Sequence, residues 1–255
     1  MSTALLALVS IFYIKSQLST TFYPALLQSK YIFTLAEQLF LGFCFFITFA
    51  TKIPMIPFHI WLPEAHVEAP TIGSVILASI LLKLGGYGFL RFLLPLFPDA
   101  VLFYSPWVYT LGICSVIYAS LSTIRQIDLK RIIAYSSIAH MNMVVLGIFS
   151  NNCYGLDGAF FLMLGHGIIS TALFFLVGVA YDRYHTRLLR YYGGLIVVMP
   201  VFGNLFFFFA LGNFGFPGTS NFIGEILILI GIFENNAFIS ICTGIGIILS
   251  AVYTL

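Results

Sequence analysis

Two observations predict an all-α protein, a polytopic bundle of transmembrane helices. Hydrophobic residues make up 60% of the 255 residues and charged residues only 8%, so there is too little polar surface to cover a water-facing exterior. Apolar runs long enough to cross a bilayer follow one another along the chain, and they lack the polar–apolar alternation of membrane β-strands. Because backbone polar groups in lipid must be paired within their own segment, these runs are expected to be helices.

The predicted helices have boundaries set by the apolar runs, and a full span needs about 20 residues. Their ranges are 2–15, 34–52, 72–94, 103–124, 129–149, 157–181, 195–212, 220–234 and 237–255. The first is short and the last stops without a cap, breaker or polar tail, so we expect both ends to be cuts within a longer pattern. No basic region precedes the first run, which argues against a signal or transit peptide and favours synthesis inside the organelle or bacterium that uses the protein.

Charge and cysteine content exclude several functions. The net charge of +2 comes from thinly spread residues without a basic stripe, which excludes nucleic-acid binding. The cysteines are far apart and mostly within apolar runs, so a disulfide scaffold is excluded. Phosphate-binding loops, a nucleophile elbow and cysteine arrays for iron–sulfur clusters are also missing from the sequence.

Basic residues are concentrated in two loops, 125–131 and 181–190. Two predicted helices separate these loops, so both should lie on one side of the membrane. The intervening stretch 150–158 carries no Lys or Arg, and neither does 95–107 one helix earlier. Because positively charged loops resist translocation, the basic side is predicted to be the matrix or cytoplasm.

Two segments, 52–70 and 210–225, interrupt the helical pattern with proline and glycine. Proline removes an amide donor, and freed backbone groups at membrane depth persist only where they line a polar cavity. A pair of interrupted helices in two halves of a chain predicts an inverted-repeat transporter that handles ions near the midplane.

Three ionisable residues lie well inside apolar stretches of the predicted helices. Lys83 is near the middle of its helix, where a charge is costly and the flanking apolar residues prevent snorkelling. It is either a neutralised structural lysine or a group that takes up and releases protons. His140 and His166 lie on successive helices and suit a proton relay, although a buried histidine is often structural. Metal binding is the rival role, but the histidines and carboxylates lack ligand spacing.

Lys52 and Glu225 lie beside the two interruptions. Lys52 is either an interfacial anchor or part of the site formed at the first interruption. Glu225 is either a helix N-terminal carboxylate favoured by the macrodipole or a terminal proton site.

Taken in order, the motifs KIPMIPFHIWLPEAHVEAPTIGSVILASILLKLGGYG, DLKRIIAYSSIAHM, LGHGIIS, YDRYHTR and GFPGTSNFIGE resemble the NADH dehydrogenase subunit 4 family. Members of this family are antiporter-like proton-pumping subunits of respiratory complex I, and the mitochondrially encoded versions are the most similar. The resemblance implies a proton path through Lys52, Lys83, His59, His140, His166 and Glu225, with His66 and Lys130 as supporting members. It also implies two repeats, a partial one over 1–94 and a second over 95–255.

The resemblance further implies that this chain performs no redox chemistry and binds no cofactor. NADH, FMN, iron–sulfur clusters and ubiquinone belong to other subunits in the family. The implied location is the mitochondrial inner membrane, and the implied partners are other membrane-arm subunits, including neighbouring antiporter-like ones, and lipids such as cardiolipin. The alternatives are a related cation/proton antiporter, a membrane-bound hydrogenase, or a structural remnant of the membrane arm.

One departure from the family concerns the first five of its fourteen helices, which have no counterpart here. The family's glutamate on the fifth helix pairs with the lysine that matches Lys52. Glu37 is a poor substitute, since it lies about 22 Å from Lys52 along the same helix. We expect either a separately encoded chain that supplies these helices and packs against residues 1–70, or a subunit that has lost one half-channel.

Overall fold

The computed structural model describes residues 2–28 and 33–254, and the part of the chain that it describes is helical without any strand. Twelve helices follow in order. They are α1 (Ser2–Leu18), α2 (Tyr23–Gln28), α3 (Leu35–Lys52), α4 (Trp61–Glu68), α5 (Thr71–Leu96), α6 (Pro98–Ile124), α7 (Leu129–Phe149), α8 (Cys153–Tyr184), α9 (Leu195–Val198), α10 (Pro200–Phe214), α11 (Ser220–Asn235) and α12 (Ala237–Thr254).

Within residues 2–28 and 33–254, six helices are long and apolar enough to cross a membrane: α3, α5, α6, α7, α8 and α12. The chain is therefore an all-α, multi-pass membrane protein, as the composition predicts. Shorter apolar helices, α1 and α10, accompany these spans.

Helix α7 lies at the centre of the bundle. In its most apolar 18-residue stretch, 89% of the helix is buried inside the protein. Helices α6, α8, α4 and α11 pack around it. Asp128 precedes the helix, and its side chain accepts a hydrogen bond from the amide of Lys130 and so caps the first turn. Because the middle of α7 is enclosed by other helices, its polar side chains there, including His140 and Asn142, are buried within the protein.

Helices α8 and α11 approach closely through small residues. A side chain added at Gly158 of α8 would come within 2.9 Å of the carbonyl oxygen of Gly224 on α11. Small residues at such a crossing let two helix backbones come together in a membrane. This crossing draws the residues of α11 towards α8.

Several predicted helix boundaries need correction. Helix α8, Cys153–Tyr184, extends beyond the predicted range 157–181 at both ends. The stretch 195–212 is not one helix: α9 ends at Val198 and α10 starts at Pro200, because Met199 precedes proline and takes a non-helical backbone conformation. Helix α6 begins at Pro98, earlier than residue 103, with proline in the first turn where no amide donor is needed. Helix α1 extends to Leu18, three residues beyond the predicted end at residue 15.

Helix α5 covers the predicted range 72–94 but contains two stretches of π-helix, Leu77–Leu81 and Phe89–Leu93. The helix therefore winds more widely just before Lys83 and again near its end. Such insertions are common at functional sites.

The two basic loops lie side by side. Asp128 and Leu188 form an antiparallel bridge, and the amide of Leu129 donates to the carbonyl oxygen of Arg187 at 3.0 Å. This contact confirms that both loops are on one side of the bundle. Which compartment that side faces stays a prediction.

The two predicted interruptions coincide with changes in the backbone path. Helix α3 ends at Lys52, turns occupy most of 53–60, and α4 follows. Helix α10 ends at Phe214 and is capped by Gly215, whose φ of 74° is in the left-handed region that favours glycine. That each interruption divides one membrane-crossing helix, and that the repeats are 1–94 and 95–255, stay predictions.

Candidate functional site

Four of the residues selected from the sequence form a continuous row, called here the central row: Lys83 on α5, His166 on α8, His140 on α7 and Glu225 on α11. Nζ of Lys83 lies 2.9 Å from Nδ1 of His166. The ring centroids of His166 and His140 are 5.6 Å apart. Nδ1 of His140 lies 3.3 Å from Oε1 of Glu225. Each residue comes from a different helix, so the row depends on the packing of the whole bundle.

The Lys83 end of the row is shaped by the first π-helical stretch. The amide of Leu82 donates to the carbonyl oxygen of Leu77, five residues back. The carbonyl oxygen of Ala78 instead accepts a hydrogen bond from Nζ of Lys83 at 2.5 Å. The wider turn thus gives the lysine a backbone acceptor in addition to His166, which fixes its amino group in place.

Lys83 is also the member of the row that reaches a surface cavity. This cavity of about 450 Å³ lies between α5 and α8, and its lining includes Lys83, Ser79, Tyr87, Gly167 and Thr171. The other three members of the row are buried, with 2% or less of their surface exposed.

The Glu225 end of the row is enclosed by the backbone at Gly215. A Cβ atom added to Gly215 would lie 2.5 Å from Oε2 of Glu225, so a side chain at this position would displace the carboxylate. Tyr253 of α12 also lies close enough to Glu225 for the two side chains to interact electrostatically. The contact between His140 and Glu225 has ion-pair distance but lacks hydrogen-bond geometry, and neither Nδ1 nor Oε1 has another protein partner in the part of the chain that the structure describes.

His66 and Lys130 lie near the row without joining it by hydrogen bonds. His66 is fully buried and stacks on Phe174, with ring centroids 4.4 Å apart. It is an electrostatic neighbour of both Lys130 and Lys83. Nζ of Lys130 donates to the carbonyl oxygen of Ala69 at 2.8 Å, at the end of α4.

Arg187, which the sequence did not single out as a site residue, binds the same end of α4. Its Nη1 donates to the carbonyl oxygen of Val67 at 2.6 Å, and its guanidinium lies 4.7 Å from the ring centroid of Tyr181. Together, Lys130 and Arg187 place positive charge on the last carbonyl groups of α4, where the helix dipole favours it. The basic loops therefore hold the helix that carries His66.

His59 and Lys52 do not contact the central row. His59 is buried in the turns after α3, edge-on to Tyr118 with ring centroids 5.3 Å apart. Lys52 is exposed at the end of α3 and lines a cavity of about 600 Å³ together with Thr3, Thr51 and Trp61. It forms no hydrogen bond or ion pair with the residues that the structure describes.

Glu37 is occupied elsewhere, as expected of a poor partner for Lys52. Its Oε1 accepts a hydrogen bond from the hydroxyl of Tyr13 at 2.5 Å. Its Oε2 accepts from the amide and the hydroxyl of Thr34 in a capping box at the start of α3. The carboxylate thus caps the N-terminus of α3, whereas Lys52 is at its C-terminus.

Among residues 2–28 and 33–254, no group of three or more His, Cys, Asp or Glu side chains is arranged to hold a metal ion. The histidines of the central row contact lysine, glutamate and one another instead.

Comparisons with known proteins identify the family of the chain. The family model for the transmembrane region of NADH:quinone oxidoreductase/Mrp antiporter proteins matches residues 2–250. NADH-ubiquinone oxidoreductase chain 4 of Marchantia polymorpha is 54% identical over 252 residues, and that of Arabidopsis thaliana is 56% identical over 252 residues. Each alignment covers 99% of this chain and 50% of the relative.

A solved structure supports the same fold. A chain of respiratory complex I from Thermus thermophilus with bound NADH superposes with a TM-score of 0.94 at 28% identity. The match covers 99% of this chain and 54% of that chain.

The fold and the family match define an antiporter-like membrane protein. The chain belongs to the NADH:quinone oxidoreductase/Mrp antiporter transmembrane family. It spans about half the length of the curated chain 4 relatives that it matches.

Proposed function

We propose that this chain translocates protons across the inner mitochondrial membrane as a membrane-arm part of NADH:ubiquinone oxidoreductase, complex I. The observation that carries the proposal is the central row, in which four titratable side chains from four helices follow one another through the bundle. Intramembrane ionisable groups are costly unless they serve a pathway or a partner. The identity of more than half of the aligned residues to chain 4 relatives favours complex I over other members of the family.

Each member of the row can bind and release a proton. Nδ1 of His166 faces Lys83, and its Nε2 has no hydrogen-bond partner among the described protein groups. An imidazole that receives a proton on one nitrogen and releases one from the other passes charge across its ring without net change. His140 repeats this step, with its Nδ1 beside the carboxylate of Glu225.

Electrostatic repulsion couples the members of the row. In the low dielectric of a membrane protein, a positive charge on Lys83 opposes a second positive charge on His166, only 2.9 Å away. A proton that arrives at one position therefore favours release from the next. His66, which neighbours Lys83 and His166, tunes this coupling when its protonation changes, and Lys130 acts on the row through His66.

Lys52 and His59 serve the first half of the pathway. Lys52 is exposed beside the cavity lined by Thr3 and Trp61, so an acidic side chain from outside the described residues has access to it. Helices that correspond to the first five of the family supply this carboxylate and pack against residues 1–70, and a structure of the assembled complex tests this placement.

The partners in this proposal are other membrane-arm subunits and membrane lipids such as cardiolipin. The chain itself has no redox role, and NADH, FMN, iron–sulfur clusters and ubiquinone act in other subunits. Copurification with an NADH-oxidising peripheral arm separates complex I from a cation/proton antiporter or a membrane-bound hydrogenase.

Replacing His166 by Gln tests the proposal. Gln keeps hydrogen-bonding groups but does not titrate, so the complex should assemble while the number of protons pumped per NADH falls. His185→Gln is the matched control, because His185 is exposed beyond the end of α8 and outside the row. Equal pumping in both variants would contradict the relay and favour a structural remnant.

A further inference from the structure

Asn221, a neutral residue on α11, has no place in the row described above and yet is fully buried. Its side chain is 0% exposed, and neither Oδ1 nor Nδ2 has a hydrogen-bond partner among the described protein groups. Leaving such a group unpaired destabilises a protein, so a buried amide without a partner at either end requires an explanation.

Asn221 lies close to two parts of the row, the Glu225 end and the helix segment that carries His166. It precedes Glu225 by one helical turn, so both side chains lie on the same face of α11. Its Oδ1 also lies against α8, since a Cβ atom added to Gly165 would be 2.7 Å from it. Gly165 is directly followed by His166. The amide is thus held where α11 meets α8, between the level of His166 and that of Glu225.

Other polar atoms without protein partners belong to the same neighbourhood. They are Nε2 of His166, Nε2 of His140, Oε1 of Glu225 and the hydroxyl of Tyr253. These residues neighbour one another in the structure: His166 contacts His140, His140 contacts Glu225, and Glu225 has Tyr253 as its electrostatic neighbour. Small buried polar sites with several donors and acceptors are those that hold ordered water.

We propose that Asn221 is a positioning residue of the relay and holds ordered water between the histidines and Glu225. Its Oδ1 accepts from a water O–H, and its Nδ2 donates to a water oxygen, which orients the water along the row. An N–H bond of an imidazolium breaks as a new O–H bond forms on the water, and a second O–H bond breaks as the carboxylate of Glu225 gains a proton. Asn221 itself neither gains nor loses a proton. This inference rests on the proposed function.

Variants of Asn221 distinguish a role in holding water from a role in packing alone. Asn221→Leu and Asn221→Ala both remove the amide, whereas Asn221→Ser keeps a group that can bind water. In the assembled complex reconstituted into vesicles, we expect a severalfold loss of protons pumped per NADH for Leu and Ala, and partial recovery for Ser. If Leu prevents assembly, Ala decides the result.

An infrared measurement detects a role that packing alone would not produce. The protonated-carboxyl band of Glu225, identified by its loss in Glu225→Gln, should shift in Asn221→Ala and return towards its original position in Asn221→Ser. Normal pumping and an unshifted band in Asn221→Ala would overturn the role of Asn221. If Glu225→Gln also pumped normally, the proposed function itself would fail, so the two failures are distinguishable.

Discussion

Nζ of Lys83 lies 2.9 Å from Nδ1 of His166, although 83 positions separate the two residues in the sequence. The contact exists because the π-helical stretch of α5 and the packing of α5 on α8 bring the two side chains together. A lysine in the middle of an apolar helix thereby acquires a partner that can accept or donate a proton.

Glu225→Gln should reduce the number of protons pumped per NADH, but less severely than neutralising Lys83. Gln removes the titratable carboxylate at the end of the row while keeping its size and its place beside Gly215. Glu234→Gln, at the end of α11 beside Asn152, is the control because it is outside the row. If Glu234→Gln lost as much pumping as Glu225→Gln, the assignment of Glu225 as a proton site of the row would be contradicted.

Gly215→Ala should destabilise the protein by about 1–2 kcal/mol from its left-handed backbone alone, with a further cost from the contact with Glu225. Gly244→Ala in α12 is the control, since a Cβ atom there meets nothing within 4 Å and helix propensity favours Ala. Thermal unfolding of the purified complex measures both. An unchanged midpoint for Gly215→Ala would show that the backbone at the second interruption tolerates a side chain.

Arg187→Met should weaken the attachment of α4 by about 1–2 kcal/mol, because the hydrogen bond from a charged group to the carbonyl oxygen of Val67 is lost. Arg190→Met in the same loop is the control, since Arg190 is exposed and makes no hydrogen bond with the residues described. Limited proteolysis near residues 53–70 reports the loosening. Equal proteolysis of both variants would mean that Arg187 does not hold α4.

The basic loops should face the matrix, because positive residues resist translocation. Arg190→Cys should react with a membrane-impermeant thiol reagent only from the matrix side. Native Cys153 is exposed at the start of α8, at the opposite end of that helix, and serves as the marker for the intermembrane side. Reaction of the introduced cysteine from the intermembrane side would show that the orientation is the opposite of the predicted one.

The sequence identified the members of the central row because a charge within an apolar run is rare and costly. It could not show their proximity, since the row depends on contacts between four helices and on the crossing of α8 and α11 at small residues. The wide turns of α5 had no recognised signal in the residues 77–81. The break between α9 and α10 at Met199 did have a sequence signal, since Pro200 follows directly. A single helix was nevertheless predicted there, because the stretch 195–212 is apolar throughout.

Asn221 shows a different limit of sequence analysis. A neutral amide near the start of a helix is ordinary in a sequence, and only its complete burial without protein partners marks it. The spacing of four residues before Glu225 was the available signal, because it places both side chains on one helix face. Arg187 was likewise visible only as one of several basic loop residues until its contact with Val67 was seen.

The central claim is that protons pass through the row that begins at Lys83, and the ratio of protons pumped to NADH oxidised in Lys83→Met tests it most directly. Met has a similar length and no titratable group, so it removes the charge without leaving a large void. Lys15→Met is the matched control, since Lys15 is exposed at the end of α1. The account predicts an assembled complex with strongly reduced pumping for Lys83→Met and normal pumping for Lys15→Met. An unchanged ratio in Lys83→Met would contradict it.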